Sequence, residues 1–173
     1  EIIVKNIALS GRSSKSYTTE PEYQTLLSGM KKDDYLIIGF GHNDEKTEND
    51  RYTQGEGDYL TQGTFAFSLY NNYIKKAQEA GCIPILCTPI VRRSPDGKWN
   101  GQMLHVTAPV GEYKGGDYPK AIRDLARQLN IALVDMTMMT KEMYDRLGAD
   151  ETLYLHAWPS DKAISVDNTH TNV

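Results

Sequence analysis

The stretch YLIIGFGHND, residues 35–44, decides the fold. Tyr35–Phe40 is a nearly continuous apolar run, and it breaks abruptly into Gly41, His42, Asn43 and Asp44. A short Ile- and Leu-rich run bounded by glycine reads as a strand of a parallel sheet, buried on both faces. The polar residues that follow then stand at the carboxyl rim of the sheet, where open α/β folds bind their ligands. Similar runs at Ile2–Leu9, Cys82–Cys87 and Ile131–Val134 read as further strands of the same kind.

The segments between these runs have helical periodicity. Tyr23, Leu26, Leu27 and Met30 share one face, with Thr19 and Glu22 forming a capping box before them. Tyr70, Tyr73, Ile74 and Ala77 repeat the pattern ahead of Gly81, a C′ residue. A third helix reads from Asp117 as N-cap through Tyr118, Ile122, Leu125, Ala126 and Leu129, and a fourth spans about Thr140 to Leu147, ended by Gly148. Strands alternating with helices define an α/β fold with a parallel sheet.

At 173 residues the chain is about one domain. Its net charge of −4 and isoelectric point near 5.6 provide no basic footprint, so neither nucleic acid nor an anionic membrane is an expected partner. No apolar run approaches the roughly 18 residues that a membrane-spanning helix requires. Cys82 and Cys87, five apart in one strand, project to opposite faces about 16 Å apart and read as two free thiols.

Three short segments concentrate the chemistry: SGRSS at 10–14, GHND at 41–44 and DNTH at 167–170. His170 has the pKa range and the paired nitrogens of a general base and acid. Asp167 can accept a hydrogen bond from one imidazole nitrogen and fix the tautomer. Asn43 can aim an uncharged amide at a developing oxyanion, and Gly11 can offer a backbone N–H where a side chain would crowd the substrate. Two rim loops, about 44–63 and 92–116, contain Tyr52, Tyr59, Trp99 and Tyr113 as candidate platforms for sugar rings, and Arg92 and Arg93 as candidate partners for uronate carboxylates. Ser10, Ser13 and Ser14 read as loop-holding residues, and His105 and His156 as loop and surface histidines. His42, Asp44, Asp167 and His170 can also be read as metal ligands, although their spacing matches no dedicated zinc motif.

Taken in order, Gly11, then Gly41, Asn43 and Asp44, then Asp167 and His170 resemble the sequence blocks of the SGNH (GDSL) hydrolases, and within them the rhamnogalacturonan acetylesterase-like carbohydrate esterases. The resemblance implies a flavodoxin-like three-layer α/β/α domain. It also implies a cofactor-free serine mechanism in which Asp167, His170, Asn43 and Gly11 are catalytic, and an acetylated pectin or xylan as substrate, which favours an extracellular setting. A lipid or aryl ester is a rival substrate, and a non-catalytic carbohydrate-binding or scaffold domain is the alternative from another class. The family's nucleophile block, Gly-Asp-Ser, is not found between Glu1 and Val173, and the family continues past its catalytic histidine. The chain therefore reads as a piece cut at both ends, with its serine upstream of Glu1 and its first strand and last helix outside the segment. In the strand order 2-1-3-4-5 that first strand is central. Residues 1–173 alone are therefore expected not to fold stably, and a thermal melt of that segment with a sharp cooperative transition would refute this.

Overall fold

The computed structural model describes residues 2–157 and 166–172. Three parallel strands form the sheet: β1 (Tyr35–Gly39), β2 (Ile83–Cys87) and, after a short antiparallel pair β3 (Val106–Thr107) and β4 (Gly116–Asp117), β5 (Ala132–Val134). Their order is β1-β2-β5, with Ile38 level with Leu86 and Leu86 level with Leu133. Three adjacent parallel strands in chain order fit one flank of a flavodoxin-like sheet, as the apolar runs predict.

The helices are α1 (Pro21–Gly29), α2 (Phe65–Leu69), α3 (Lys75–Glu79), α4 (Tyr118–Leu129) and α5 (Met136–Leu147). A π-helical turn, Tyr70–Ile74, joins α2 to α3 without a break in the rod. Tyr17, Tyr23, Ile38, Phe65, Leu69, Tyr73, Ile74, Leu86, Tyr118, Ile122 and Leu125 make one core, so α1, the α2–α3 rod and α4 share it. Each fully buried side chain of this size contributes about 1.5–3 kcal/mol.

Capping explains where the later helices start and stop. Asp117 accepts from Lys120 N at 2.8 Å, and Asn130 ends α4 in the left-handed region. Asp135 accepts from Met138 N at 3.2 Å, so α5 starts four residues earlier than its apolar periodicity predicts, and Gly148 follows it at φ 90°.

Three expectations need correction. Ile2–Leu9 is not a strand: among the described residues no strand pairs with it, and Ile2, Ile3 and Val4 are exposed. A strand exists only where a neighbour takes its N–H and C=O groups, which an apolar run alone does not supply. Thr19 does not cap α1: it belongs to a 3₁₀ turn, Ser16–Thr19, and bonds Ser16 O, while Glu20 precedes the helix and Pro21 opens it. Finally, the strands are not buried on both faces. Leu36, Ile38, Pro84 and Leu86 face the core, but Tyr35, Ile37 and Ile83, which share the opposite face, are exposed. The reason lies in α5, whose buried Tyr144 packs on Val91 and Trp99 in a second cluster.

Asp135 joins several elements at once. It receives a two-pronged bond from Arg123 (2.8 and 3.0 Å) and one from the Thr88 hydroxyl (3.0 Å), besides capping α5. The Arg123 bond, chiefly, holds its pKa below the ordinary carboxylate range. A depressed folded pKa stabilises above the unfolded value near 4, and that contribution is lost as pH falls through the folded pKa. Asp135→Ala is expected to cost about 2 kcal/mol at pH 7 in urea unfolding, and less at pH 3.

Candidate active site

The candidate site begins at the carboxyl end of β1. There the chain turns through Gly41, whose φ of 138° favours glycine and whose Cα lies so close to Pro89 that a Cβ would stand 2.9 Å from its ring. His42, Asn43 and Asp44 follow.

Asp44 is fully buried, and donors surround its carboxylate. Ser14 N lies 3.1 Å from both oxygens, the Ser14 hydroxyl 2.5 Å and the Thr53 hydroxyl 3.0 Å from Oδ1. Burial raises its pKa to about 6, against the opposing pull of these bonds. The Ser14 hydroxyl in turn accepts from the Ser68 hydroxyl at 2.8 Å, and the Ser14 carbonyl accepts from Tyr73 at 2.7 Å. Ser13 exchanges bonds with Ser16. Both serines hold the loop, as expected; Ser10 is exposed in the turn before Gly11.

Asn43 Nδ2 donates to Arg12 O at 3.3 Å, and its Oδ1 accepts from Arg51 at 3.1 Å. The amide is thus oriented between the two motif loops. Gly11 stands at φ 75° with open space where a Cβ would be. Its backbone conformation, rather than crowding by protein atoms, is what calls for glycine here.

The Asp167–His170 turn closes the group. His170 Nδ1 lies 2.6 Å from Asp167 Oδ2, while Asp167 Oδ1 accepts the backbone N–H groups of Thr169 (2.7 Å) and His170 (3.1 Å). A carboxylate accepts only, so the shared proton is on Nδ1, which in the neutral ring leaves the lone pair on Nε2. Most of the His170 side chain is exposed. The turn is fastened to the segment after β2, where Arg93 N donates to Asn168 O at 3.0 Å. Arg92, next to Arg93 in the chain, pairs with Glu45, so the segment after β2 contacts both the terminal turn and the segment that follows GHND.

Beside it lies a group that local reading missed. His42 and His105 both donate Nε2–H to Ile90 O, at 3.1 and 2.6 Å, with ring centroids 4.4 Å apart. His105 Nδ1 is 3.2 Å from Glu45 Oε2, and Arg92 pairs with the other Glu45 oxygen. Burial, then His105 and Arg92, drives the His42 pKa far down; burial likewise lowers His105 to about 4. Burial favours the neutral form of both rings, while the Glu45 carboxylate beside His105 Nδ1 favours a second proton on that ring.

Several expected roles are therefore corrected. His105 lies in the loop before β3, as expected, but it and His156 are buried rather than at the surface. Arg92 is committed to Glu45 and Arg93 to Gly97 O, so neither is free for a uronate. Trp99 is buried against Tyr144, and Tyr59 packs on Tyr70. Only Tyr52 and Tyr113 of the aromatic set meet in a cleft. Their rings are edge-to-face at 4.8 Å, in a cleft of about 270 Å³ also lined by Glu45, Thr107 and Val110. The Thr107 hydroxyl is buried without a hydrogen-bond partner among the described residues. No cluster of three or more metal-ligating side chains forms among the described residues.

The fold defines the class: a parallel α/β sheet flanked by helices, compatible with the three-layer α/β/α fold of the SGNH hydrolases. In fold the chain is similar to the crystal structure of protein YxiM from Bacillus subtilis, with a TM-score of 0.63 at 18% identity over 96% of this chain and 41% of that one. In sequence it is similar to the rhamnogalacturonan acetylesterase RhgT of Bacillus subtilis (strain 168), 29% identical over 98% of this chain and 67% of that protein. YesY of the same strain, a probable rhamnogalacturonan acetylesterase, is 31% identical over 90% and 63% respectively, and the Emericella nidulans rhamnogalacturonan acetylesterase 25% over 98% and 66%. No protein-family model matches the chain. The chain spans about two thirds of the length of the curated relatives it matches. The chain is thus similar in sequence to rhamnogalacturonan acetylesterases and in fold to YxiM.

Because the folded pKa of Asp44 stands above the unfolded carboxyl value, its contribution is greatest below about pH 4 and declines as pH rises through about 6. Asp44→Ala is expected to cost about 3 kcal/mol in urea unfolding near pH 4, since it leaves three buried donors unpaired, and less at pH 7. A penalty that grows with pH would contradict the assignment.

Proposed function

We propose that the protein containing this chain is a serine carbohydrate esterase that removes acetyl groups from a pectic polysaccharide, rhamnogalacturonan being the substrate favoured by the names of its relatives. The observation that carries this reading is the 2.6 Å Asp167–His170 bond, which in the neutral imidazole puts the proton on Nδ1 and the lone pair on Nε2, on a side chain that is mostly exposed. That is the state a general base requires.

In this mechanism a serine upstream of Glu1 attacks the acetyl carbonyl while His170 Nε2 takes its proton. The electron pair moves to the carbonyl oxygen, and Asn43 Nδ2, Gly11 N–H and the serine's own N–H receive that charge. Collapse of the tetrahedral species expels the sugar alkoxide, which takes the proton from His170. Water, activated by the same imidazole, then hydrolyses the acetyl-enzyme. Asp167 keeps the imidazole in its Nδ1–H form throughout and stabilises the cation formed in each half-reaction. Asn43 starts with its amide on Arg12 O, so a modest shift of that loop frees the donor. Ser13 and Ser14 do not compete for the role, because both are tied down in the 10–14 loop. The Tyr52–Tyr113 cleft, with its free Thr107 hydroxyl, supports a carbohydrate over a lipid.

The full-length protein is expected to hydrolyse a small chromogenic acetate and to be labelled by a serine-directed phosphonate at a residue before Glu1. His170→Ala should lower kcat by at least about 10³-fold, and Asn43→Ala by about 10²–10³-fold. Label on Ser10, or full turnover in His170→Ala, would overturn the reading.

A further inference from the structure

We propose that His156 is a positioning residue for the Asp167–His170 pair, its imidazole setting the direction of the Asp167 carboxylate from behind. The proposal rests on the esterase reading for its kinetic consequence and on the hydrogen-bond geometry for its substance.

His156 is fully buried. Its Nδ1 lies 2.7 Å from Asp167 O, and its Nε2 2.8 Å from the Tyr144 hydroxyl. A carbonyl oxygen accepts only, so the proton is on Nδ1, and Nε2 accepts from Tyr144. The tautomer is thereby fixed from both sides. Tyr144 is itself wedged edge-on against Trp99, ring centroids 5.3 Å apart, and Trp99 Nε1 donates to Asp145 at 2.8 Å. A rigid wall from α5 and the loop after β2 thus stands behind the imidazole.

The turn from Asp167 to His170 has little regular structure, so what holds its carbonyls determines where its side chains point. Asn168 O receives Arg93 N, and His170 O receives Ala157 N at 2.9 Å. Asp167 O receives the imidazole of His156, the one side-chain donor among the three. Asp167 N in turn donates to Ala157 O at 2.8 Å, and His156 pairs with Thr171 as an antiparallel bridge. The peptide unit of Asp167 is therefore clamped at both its N–H and its C=O. With the clamp gone, the peptide can rotate and carry the carboxylate away from His170. A misplacement of about 1 Å at a catalytic pair costs on the order of 10²-fold in rate.

Two substitutions separate positioning from bulk. Asparagine places an amide N–H where Nδ1 stands and so keeps the bond to Asp167 O; glutamine places it where Nε2 stands and loses it. In the full-length protein with a chromogenic acetate, His156→Asn is expected to keep kcat within about threefold. His156→Gln is expected to drop it about 10–100-fold with KM within twofold. In parallel, ¹⁵N shifts of His170 should report the Nδ1–H tautomer in His156→Asn and a tautomer mixture in His156→Gln, a readout independent of turnover. Equal kcat and equal His170 shifts in the two folded variants would overturn the proposal. If either variant fails to melt cooperatively, Tyr144→Phe decides: a fall in kcat of about 3–10-fold and a changed His170 shift support the clamp, and unchanged values overturn it. An unaltered protein without esterase activity removes the proposed function alone, and the His170 shifts still decide the role of His156.

Discussion

The structure depends first on one buried carboxylate. Asp44 has no access to solvent, and an isolated charge there is costly unless donors replace its water. The donors come from elsewhere in the chain: Ser14 supplies its N–H and hydroxyl across 30 residues, and Thr53 its hydroxyl across nine. The Asp44 carbonyl adds the Tyr118 hydroxyl (3.2 Å) and Thr53 N (3.1 Å), so the start of α4 is bound to the same residue. The loop 10–14, the rim of β1, the loop 44–63 and α4 meet because this group must be satisfied. Asn43, the next residue back along the chain, inherits its position, which is why its amide lies against Arg12 O and within reach of Arg51.

A second junction, the segment after β2, brings the chain's end to that rim. Ile90 offers one carbonyl to two imidazoles, Val91 N takes the Thr140 hydroxyl of α5, Arg92 closes on Glu45, and Arg93 N takes the Asn168 carbonyl. Four consecutive residues thus contact the β1 rim, α5 and the terminal turn. The parallel sheet makes this possible, because it delivers the ends of β1 and β2 to the same edge.

What was legible in the sequence is what is local or periodic. β1 and β2 follow from apolar runs with Gly or Pro beyond them, and α4 from a 3.6-residue repeat behind an Asp that caps it. The Asp167–His170 bond was legible too, since both partners sit on one short turn. What failed was non-local. An apolar run such as Ile2–Leu9 becomes a strand only through a neighbour, and none of its residues encodes one. Arg92 looks like a free cation until Glu45, 47 residues away, folds against it. Trp99 sits in a polar loop and looks exposed, but the Tyr144 ring and the Asp145 carboxylate draw it inward. The outer face of the sheet failed for the same reason: strand composition signals the tendency to be buried, and a helix layer must be present to satisfy it.

The four histidines make the point most sharply, because residue type is constant and only the surroundings vary. His42 and His105 each spend Nε2–H on the Ile90 carbonyl in a buried setting, so neither has that nitrogen available to a substrate. His156 has both nitrogens engaged, one by a carbonyl and one by a phenol, and its ring never meets solvent. His170 alone pairs one nitrogen with a carboxylate and turns the other outward. General-base chemistry needs a nitrogen that is unprotonated, reachable and steadied from behind, and that combination arises only where a carboxylate acceptor and solvent lie on opposite sides of one ring. The same imidazole elsewhere in this molecule is a structural tie. The role proposed for His170 therefore rests on how the acceptors are distributed around each ring, since each of the other three rings gives a nitrogen to a backbone carbonyl.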